Sequence, residues 1–130
     1  MGRIFGGKCP CCGYKQQFYL EGGLMSVNLQ MSAGVLPEEE QNVLNAMIES
    51  QEVAGFHVEN YIAECADCHR MEGRTLIQIE DQDGRQHILG QKCSQCGKTM
   101  KVYWENVGAE ITCPECSEGV LIFEEEGLWD

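Results

Sequence analysis

The chain has 130 residues, with 9 Lys or Arg, 21 Asp or Glu and 9 cysteines, and a formal charge of −12. That length admits one domain or two very small ones, and with cysteine making up part of its 43% hydrophobic share, the ordinary core needs a metal or disulfide supplement. No apolar run approaches the ~20 residues of a membrane span, and Met1-Gly2-Arg3-Ile4-Phe5-Gly6-Gly7-Lys8 holds no signal-peptide segment, so the expected location is the cytoplasm with no membrane partner.

Eight of the nine cysteines form four Cys-x-x-Cys knuckles: Cys9/Cys12, Cys65/Cys68, Cys93/Cys96 and Cys113/Cys116. A reducing cytosol disfavours disulfides, whereas two knuckles complete the tetrahedral sulfur shell that zinc accepts at roughly 2.3 Å per bond. Two structural Zn2+ ions are therefore expected, and Cys11 is left as a spare packing thiol. After the first knuckle, the alternation of Met25, Val27, Leu29 and Met31 suggests a strand over 24–32. A helix is expected over about 37–54. Pro37 suits its first turn, Glu38, Glu39 and Glu40 suit the positive end of its dipole, and Val43, Leu44, Met47 and Ile48 form an apolar face to cover the ribbon sheet.

Strands over 58–63 and 75–79 flank the second knuckle. The sequence Asp81-Gln82-Asp83-Gly84 then marks a hairpin turn, from which Gln86-His87-Ile88-Leu89 returns into the third knuckle. Beyond it, 99–104 reads as a strand, Asn106-Val107-Gly108 as a turn, 109–112 as the partner strand and 119–123 as the last strand. The 16 residues between Cys96 and Cys113 match zinc-ribbon spacing, which pairs the third knuckle with the fourth and the first with the second. A nested arrangement, first with fourth and second with third, is the alternative. The expected fold is small, metal-stabilised and mainly β with one helix. Residues 1–84 form one zinc ribbon with a helical insertion, and 85–130 form a second joined to it through a shared β-hairpin.

Ile4-Phe5-Gly6 before Cys9-Pro10-Cys11-Cys12-Gly13-Tyr14, the Gly22-Gly23 pair and the closing Gly127-Leu128-Trp129-Asp130 resemble a group of small bacterial proteins built from tandem zinc ribbons. The resemblance implies four knuckles, two zincs and a cytosolic bacterial protein, and carries no activity with it. The knuckles depart from the common pattern where His69 follows Cys68 and Ser117 follows Cys116, positions at which Gly usually supplies a left-handed turn. Those two knuckles are expected to be the irregular ones.

Other chemistries fit less well. Cys65-Ala66-Asp67-Cys68-His69 matches a haem-attachment pattern, but that process is extracytoplasmic and would strip the first knuckle of its partner. Cys12-Gly13-Tyr14 resembles one half of a rubredoxin loop, so a rubredoxin-like iron electron carrier is the third functional reading. His57, His69 and His87 are scattered and no phosphate-binding Gly-rich loop precedes a helix, so no enzyme is expected. The leading expectation is a non-catalytic interaction module or adaptor with a protein partner. The runner-up is a nucleic-acid-associated ribbon of transcription or translation that uses the acid-free stretch 84–104. There Arg85, Lys92, Lys98 and Lys101 accompany Tyr103 and Trp104, although acidic residues dominate both halves of the chain.

Overall fold

The computed structural model describes residues 2–22 and 29–129. It is mainly β, with one twelve-residue helix and two antiparallel sheets. The three-stranded sheet has β1 (Gly2–Lys8) at its centre, flanked by β2 (Lys15–Leu20) and β7 (Ile122–Trp129). In the four-stranded sheet, β3 (Val53–Glu64) and β4 (Met71–Asp81) are central, and β5 (Gln86–Leu89) and β6 (Lys101–Tyr103) are the short edges. A helical turn, α1 (Leu29–Ser32), and the helix α2 (Glu38–Glu49) precede β3. Among the described residues no helix is long and apolar enough to cross a membrane.

The β4–β5 hairpin forms where Asp-Gly predicts it. Gly84 takes φ +82° and its amide reaches the Asp81 carbonyl at 3.0 Å. The Asp81 carboxylate accepts from the Asp83 and Arg85 amides at 2.9 Å each and sits 2.8 Å from His87 Nε2. These hydrogen bonds, from the His87 side chain first, hold the Asp81 carboxyl below its usual range. The register runs Ile79↔His87 and Ile77↔Leu89. It places Ile77, Ile79 and Leu89 with Val58 in a cluster that Leu44 and Met47 of α2 close from one side, joined by Ala33 and Leu36.

The carboxylate-rich start of α2 also reaches the sheet. Glu40, only 8% exposed, accepts a hydrogen bond from the Gly90 amide at 3.1 Å, and its other oxygen is buried without a partner. Gly90 sits at φ +95°, and a Cβ there would meet the Thr75 carbonyl oxygen at 2.4 Å. The bend carries the chain on beside β4, where Arg74 Nη2 donates to the carbonyls of Gly90 (3.1 Å) and Lys92 (2.8 Å).

Asn60 stitches the two sheets together. Its backbone exchanges both hydrogen bonds with Glu21, its side-chain amide donates to the Tyr19 carbonyl at 2.9 Å, and its side-chain oxygen accepts from Thr75 at 2.7 Å. Phe5, Phe18 and Leu20 of the smaller sheet accordingly share one cluster with Ile62 and Met71 of the larger, completed by Ile111 and Leu121.

Several expectations are corrected. The helix stops at Glu49, and Gln51 turns at φ +56°. This frees β3 to start at Val53, five residues ahead of the expected 58, because β4 extends to Asp81 and offers it a partner there. Val43 is exposed, since Leu44 and Met47 already fill the buried stripe and Ile48 packs at its margin. Of the strand expected over 24–32, residues 24–28 lie outside the described residues, and Leu29–Ser32 is a helical turn. Residues 109–112 do not pair with 99–104. Lys101–Tyr103 pairs with β3, which brings the third knuckle beside the second, while Thr112 bridges to Val120. The last strand starts at Ile122 and zips along β1 to Trp129.

Replacing Glu40 by Ala should lower stability by about 1–3 kcal/mol, since the buried Gly90 amide then loses its acceptor. Chemical denaturation of the metal-loaded protein measures this, and loss of Gly90 amide protection in hydrogen exchange locates it.

Candidate metal centres

All four knuckles share one backbone device. The amide of the residue after the second cysteine donates to the carbonyl of the first: Gly13 to Cys9 (3.1 Å), His69 to Cys65 (2.8 Å), Gly97 to Cys93 (2.9 Å) and Ser117 to Cys113 (3.1 Å). Each donor is in the left-handed region, at φ +82°, +55°, +73° and +60° respectively. Left-handed backbone costs a non-glycine residue about 1–2 kcal/mol. The turn is nonetheless made at His69 and Ser117, so the expected irregularity does not arise at the second knuckle. The closing bond from the first cysteine's amide confirms this, running to Tyr14, Arg70 and Lys98 at 2.8–2.9 Å in the first three knuckles. Only the fourth differs, because it holds one more residue and closes on Gly119 at 2.7 Å.

The knuckles assemble into two quartets, Cys9/Cys12/Cys113/Cys116 and Cys65/Cys68/Cys93/Cys96, with the four sulfurs of each within 4.8 Å of one another. This is the nested arrangement, and it overturns the pairing of first with second and third with fourth. The physical reason is the β4–β5 hairpin. Cys68 lies just before β4 and Cys93 just after β5, so antiparallel pairing returns the chain to the end it left and sets the second and third knuckles side by side. The outer quartet is closed by β1–β7 pairing, with Lys8↔Ile122 next to the cysteines. Residues 1–84 and 85–130 are therefore not separate ribbons, and the cut at Gly84 falls within the hairpin turn.

A regular tetrahedron with metal–sulfur bonds of about 2.3 Å has edges of about 3.8 Å. The sulfur separations match it: 3.7 Å for Cys9–Cys116, 3.6 Å for Cys12–Cys113, 3.5 Å for Cys65–Cys96 and 3.8 Å for Cys68–Cys93. The donor set thus fits two tetrathiolate metal ions, as zinc would require.

Electrostatics point the same way. The Cys12 and Cys11 amides pull the Cys9 thiol down to about 6, and those of Cys96 and Gln95 do the same for Cys93. Hydrogen bonding to Cys96, with burial, pushes Cys68 up to about 12. At Cys12 the Tyr14 amide pulls downward, but burial and the sulfurs of Cys113 and Cys9 prevail and lift it to about 12. Without a cation each quartet holds protons; a divalent ion displaces them.

Cys11 lies outside both quartets and is exposed, with burial and the neighbouring sulfurs of Cys9 and Cys116 raising its pKa. Gly119 is a site residue that spacing alone did not reveal. A Cβ there would stand 2.5 Å from Cys9 Sγ and 3.2 Å from Cys11 Sγ, so only glycine lets the fourth knuckle close against the first. A glycine three residues beyond Cys116, one past the usual closing position, was the available sequence signal.

Of the cations expected to mark a nucleic-acid face, Lys92 is bridged to Thr99 beside Lys98 and Lys101, while Arg85 lies apart. Lys98 is ion-paired with Asp67, whose hydrogen bond and charge raise the lysine's pKa. Lys101 sits 4.8 Å over the Tyr103 ring, and Tyr103 donates to Glu64 at 2.9 Å. Arg85 lies at the hairpin turn, at the far end of β5 from the third knuckle. Lys92 is exposed beside that knuckle, and Trp104 packs edge-on to Tyr61 at 4.9 Å. His57 and Glu59 approach to 3.8 Å away from either quartet.

No protein-family model matches the chain, and no curated protein or solved structure is similar to it.

Purified protein should carry close to two zincs per chain by elemental analysis, with no visible absorbance. One metal per chain, or a red iron chromophore, would contradict this. Because binding expels thiol protons, metal retention should fall as pH is lowered from about 8 to 5, and chelation should unfold the protein. The nesting gives a directional expectation. Cys113→Ser should lose the outer metal and shift β3–β4 amides chiefly around Ile62 and Met71, sparing those beneath α2, whereas Cys93→Ser should weaken both metals, because the outer sheet packs on Ile62 and Met71 of the inner one.

Proposed function

We propose that this protein is a non-catalytic interaction module whose two zinc ions are structural and whose partner is another protein. The observation that carries the reading is the completeness of both quartets. Four thiolates from the chain itself, at tetrahedral separations, leave a zinc ion no open position for water or substrate.

Charge supports a protein partner over a phosphate backbone. A tetrathiolate zinc carries a formal −2, so two take the chain from −12 to about −16. Asp67 ties up Lys98, and Glu72 lies 3.3 Å from Arg74 and 3.6 Å from Arg70. A nucleic acid approaching Lys98, Arg70 or Arg74 meets their paired acids well inside a Debye length of about 8 Å at physiological salt. A partner with a basic surface is steered in by the same field.

The test titrates the zinc-loaded protein with single-stranded RNA at low salt, alongside chemical cross-linking in the source cell. Expected are no saturable RNA binding and a defined protein cross-link. RNA binding that weakens steeply with salt and is abolished by Lys98→Glu with Lys101→Glu would overturn the reading in favour of a nucleic-acid-associated ribbon.

A further inference from the structure

Among the described residues one long strand edge is left open. The larger sheet ends on β5 and β6, only four and three residues long, and the six-residue β2 is tied to β3 at its end by the Asn60 side chain on the Tyr19 carbonyl and the Glu21–Asn60 bridge just beyond it. The eight-residue β7 has β1 on one side and no described strand on the other. A row of unpaired amides and carbonyls of that length is a template for another strand. The side chains along it are patterned. Ile122 and Leu128, at 61% and 62% the most exposed large apolar residues described, stand near its two ends. Between them are Glu124, Glu125 and Glu126, all exposed, with Glu126 reaching across β1 to accept a hydrogen bond from Gln17 Nε2 at 3.0 Å. Arg3 comes within 3.8 Å of Glu125, but its guanidinium is already committed to Glu21 at 2.5 and 2.9 Å.

The charges decide what can occupy the edge. A second copy pairing antiparallel about Glu125 would set Glu124 against Glu126 and Glu125 against itself, and a parallel in-register copy would set each acid against its twin. Like charges directly opposite in a sheet are destabilising. The bulge lies on β7 itself, where Glu126 is the extra residue between the Ile4↔Gly127 and Phe5↔Glu125 pairs, so any added strand has to follow the twist it introduces. An extended segment with Lys or Arg opposite the triplet and apolar residues at its ends meets complementary chemistry throughout.

We propose that β7 receives a basic extended segment of a partner protein as a fourth strand of the smaller sheet. This deepens, and rests on, the protein-interaction reading. Backbone hydrogen bonds would give the pairing its register, the glutamate triplet its selectivity for cationic side chains, and Ile122 and Leu128 its apolar anchors.

The test uses the full zinc-loaded chain and the capped synthetic peptide Val-Thr-Val-Lys-Lys-Lys-Val-Thr-Val, followed by amide chemical shifts. Expected are saturable shifts over Gly2–Lys8 and Ile122–Trp129. Two controls should each weaken binding by at least about tenfold: the same peptide N-methylated on the alternate amides that face β7, and the Glu124→Lys with Glu125→Lys protein, whose zinc content serves as the folding check. Equal binding by the N-methylated peptide, shifts centred on another surface, absence of saturable binding, or self-association through β7 would each overturn the proposal. RNA binding through Lys98 and Lys101 would instead strike the underlying interaction reading, and the two failures are thereby distinguished.

Discussion

The rest of the fold is arranged around two groups of four sulfurs, each of which a single cation could bind together. Four thiols within 4.8 Å of one another in each quartet, with the closest measured pairs at 3.5–3.8 Å, are mutually repulsive once ionised, and a divalent ion would turn each set into a cross-link. Structural zinc typically supplies about 10–16 kcal/mol per site, against a net stability of about 5–15 kcal/mol for a whole domain. The metal centres are also part of the core. Cys9 and Cys113 sit in the cluster with Phe5, Phe18 and Ile62, and Cys65 and Cys93 pack with Ala63 and Met100. Only the cluster beneath α2 is built without cysteine, and it is the one that carries the helix.

The sequence disclosed the ligands more readily than their partners. Four Cys-x-x-Cys pairs identify eight sulfurs whatever the topology, because the two cysteines of a knuckle are joined by a local turn. The sharing of knuckles is a long-range matter, and there the 16 residues between Cys96 and Cys113 misled. A spacing that permits a ribbon does not require one, and the same span instead carries β6 to β3 before the chain leaves for the outer site. The decisive information was nevertheless present. An Asp-Gly hairpin whose arms abut Cys68 and Cys93 already brings those cysteines together, and this consequence outweighs any loop-length preference. The β1–β7 pairing had no local signature, since its strands lie at opposite ends of the described chain. Gly119 was equally hidden, because its role appears only when Cys9 arrives beside it.

The acidity of the chain is a property of its outer surface more than of its joints. Asp67 answers Lys98 at the inner knuckles, Glu72 answers Arg70 and Arg74 along β4, and Glu21 answers Arg3 where β2 meets β3. These exposed pairs contribute little stability individually. Their collective effect is to neutralise four of the nine cations while acids remain in large surplus, and this shapes the field that any approaching molecule encounters.

Nesting also imposes a timetable. A ribosome releases Cys9, Cys11 and Cys12 first, yet their partners Cys113 and Cys116 emerge only after the inner quartet is complete in the chain. The inner quartet is complete in the chain once Cys96 is made, whereas the first knuckle has no partner knuckle until Cys113 and Cys116 follow. A metal ion supplied in that interval finds the inner quartet whole before the outer one, so nesting orders the two centres by the sequence in which their cysteines are made.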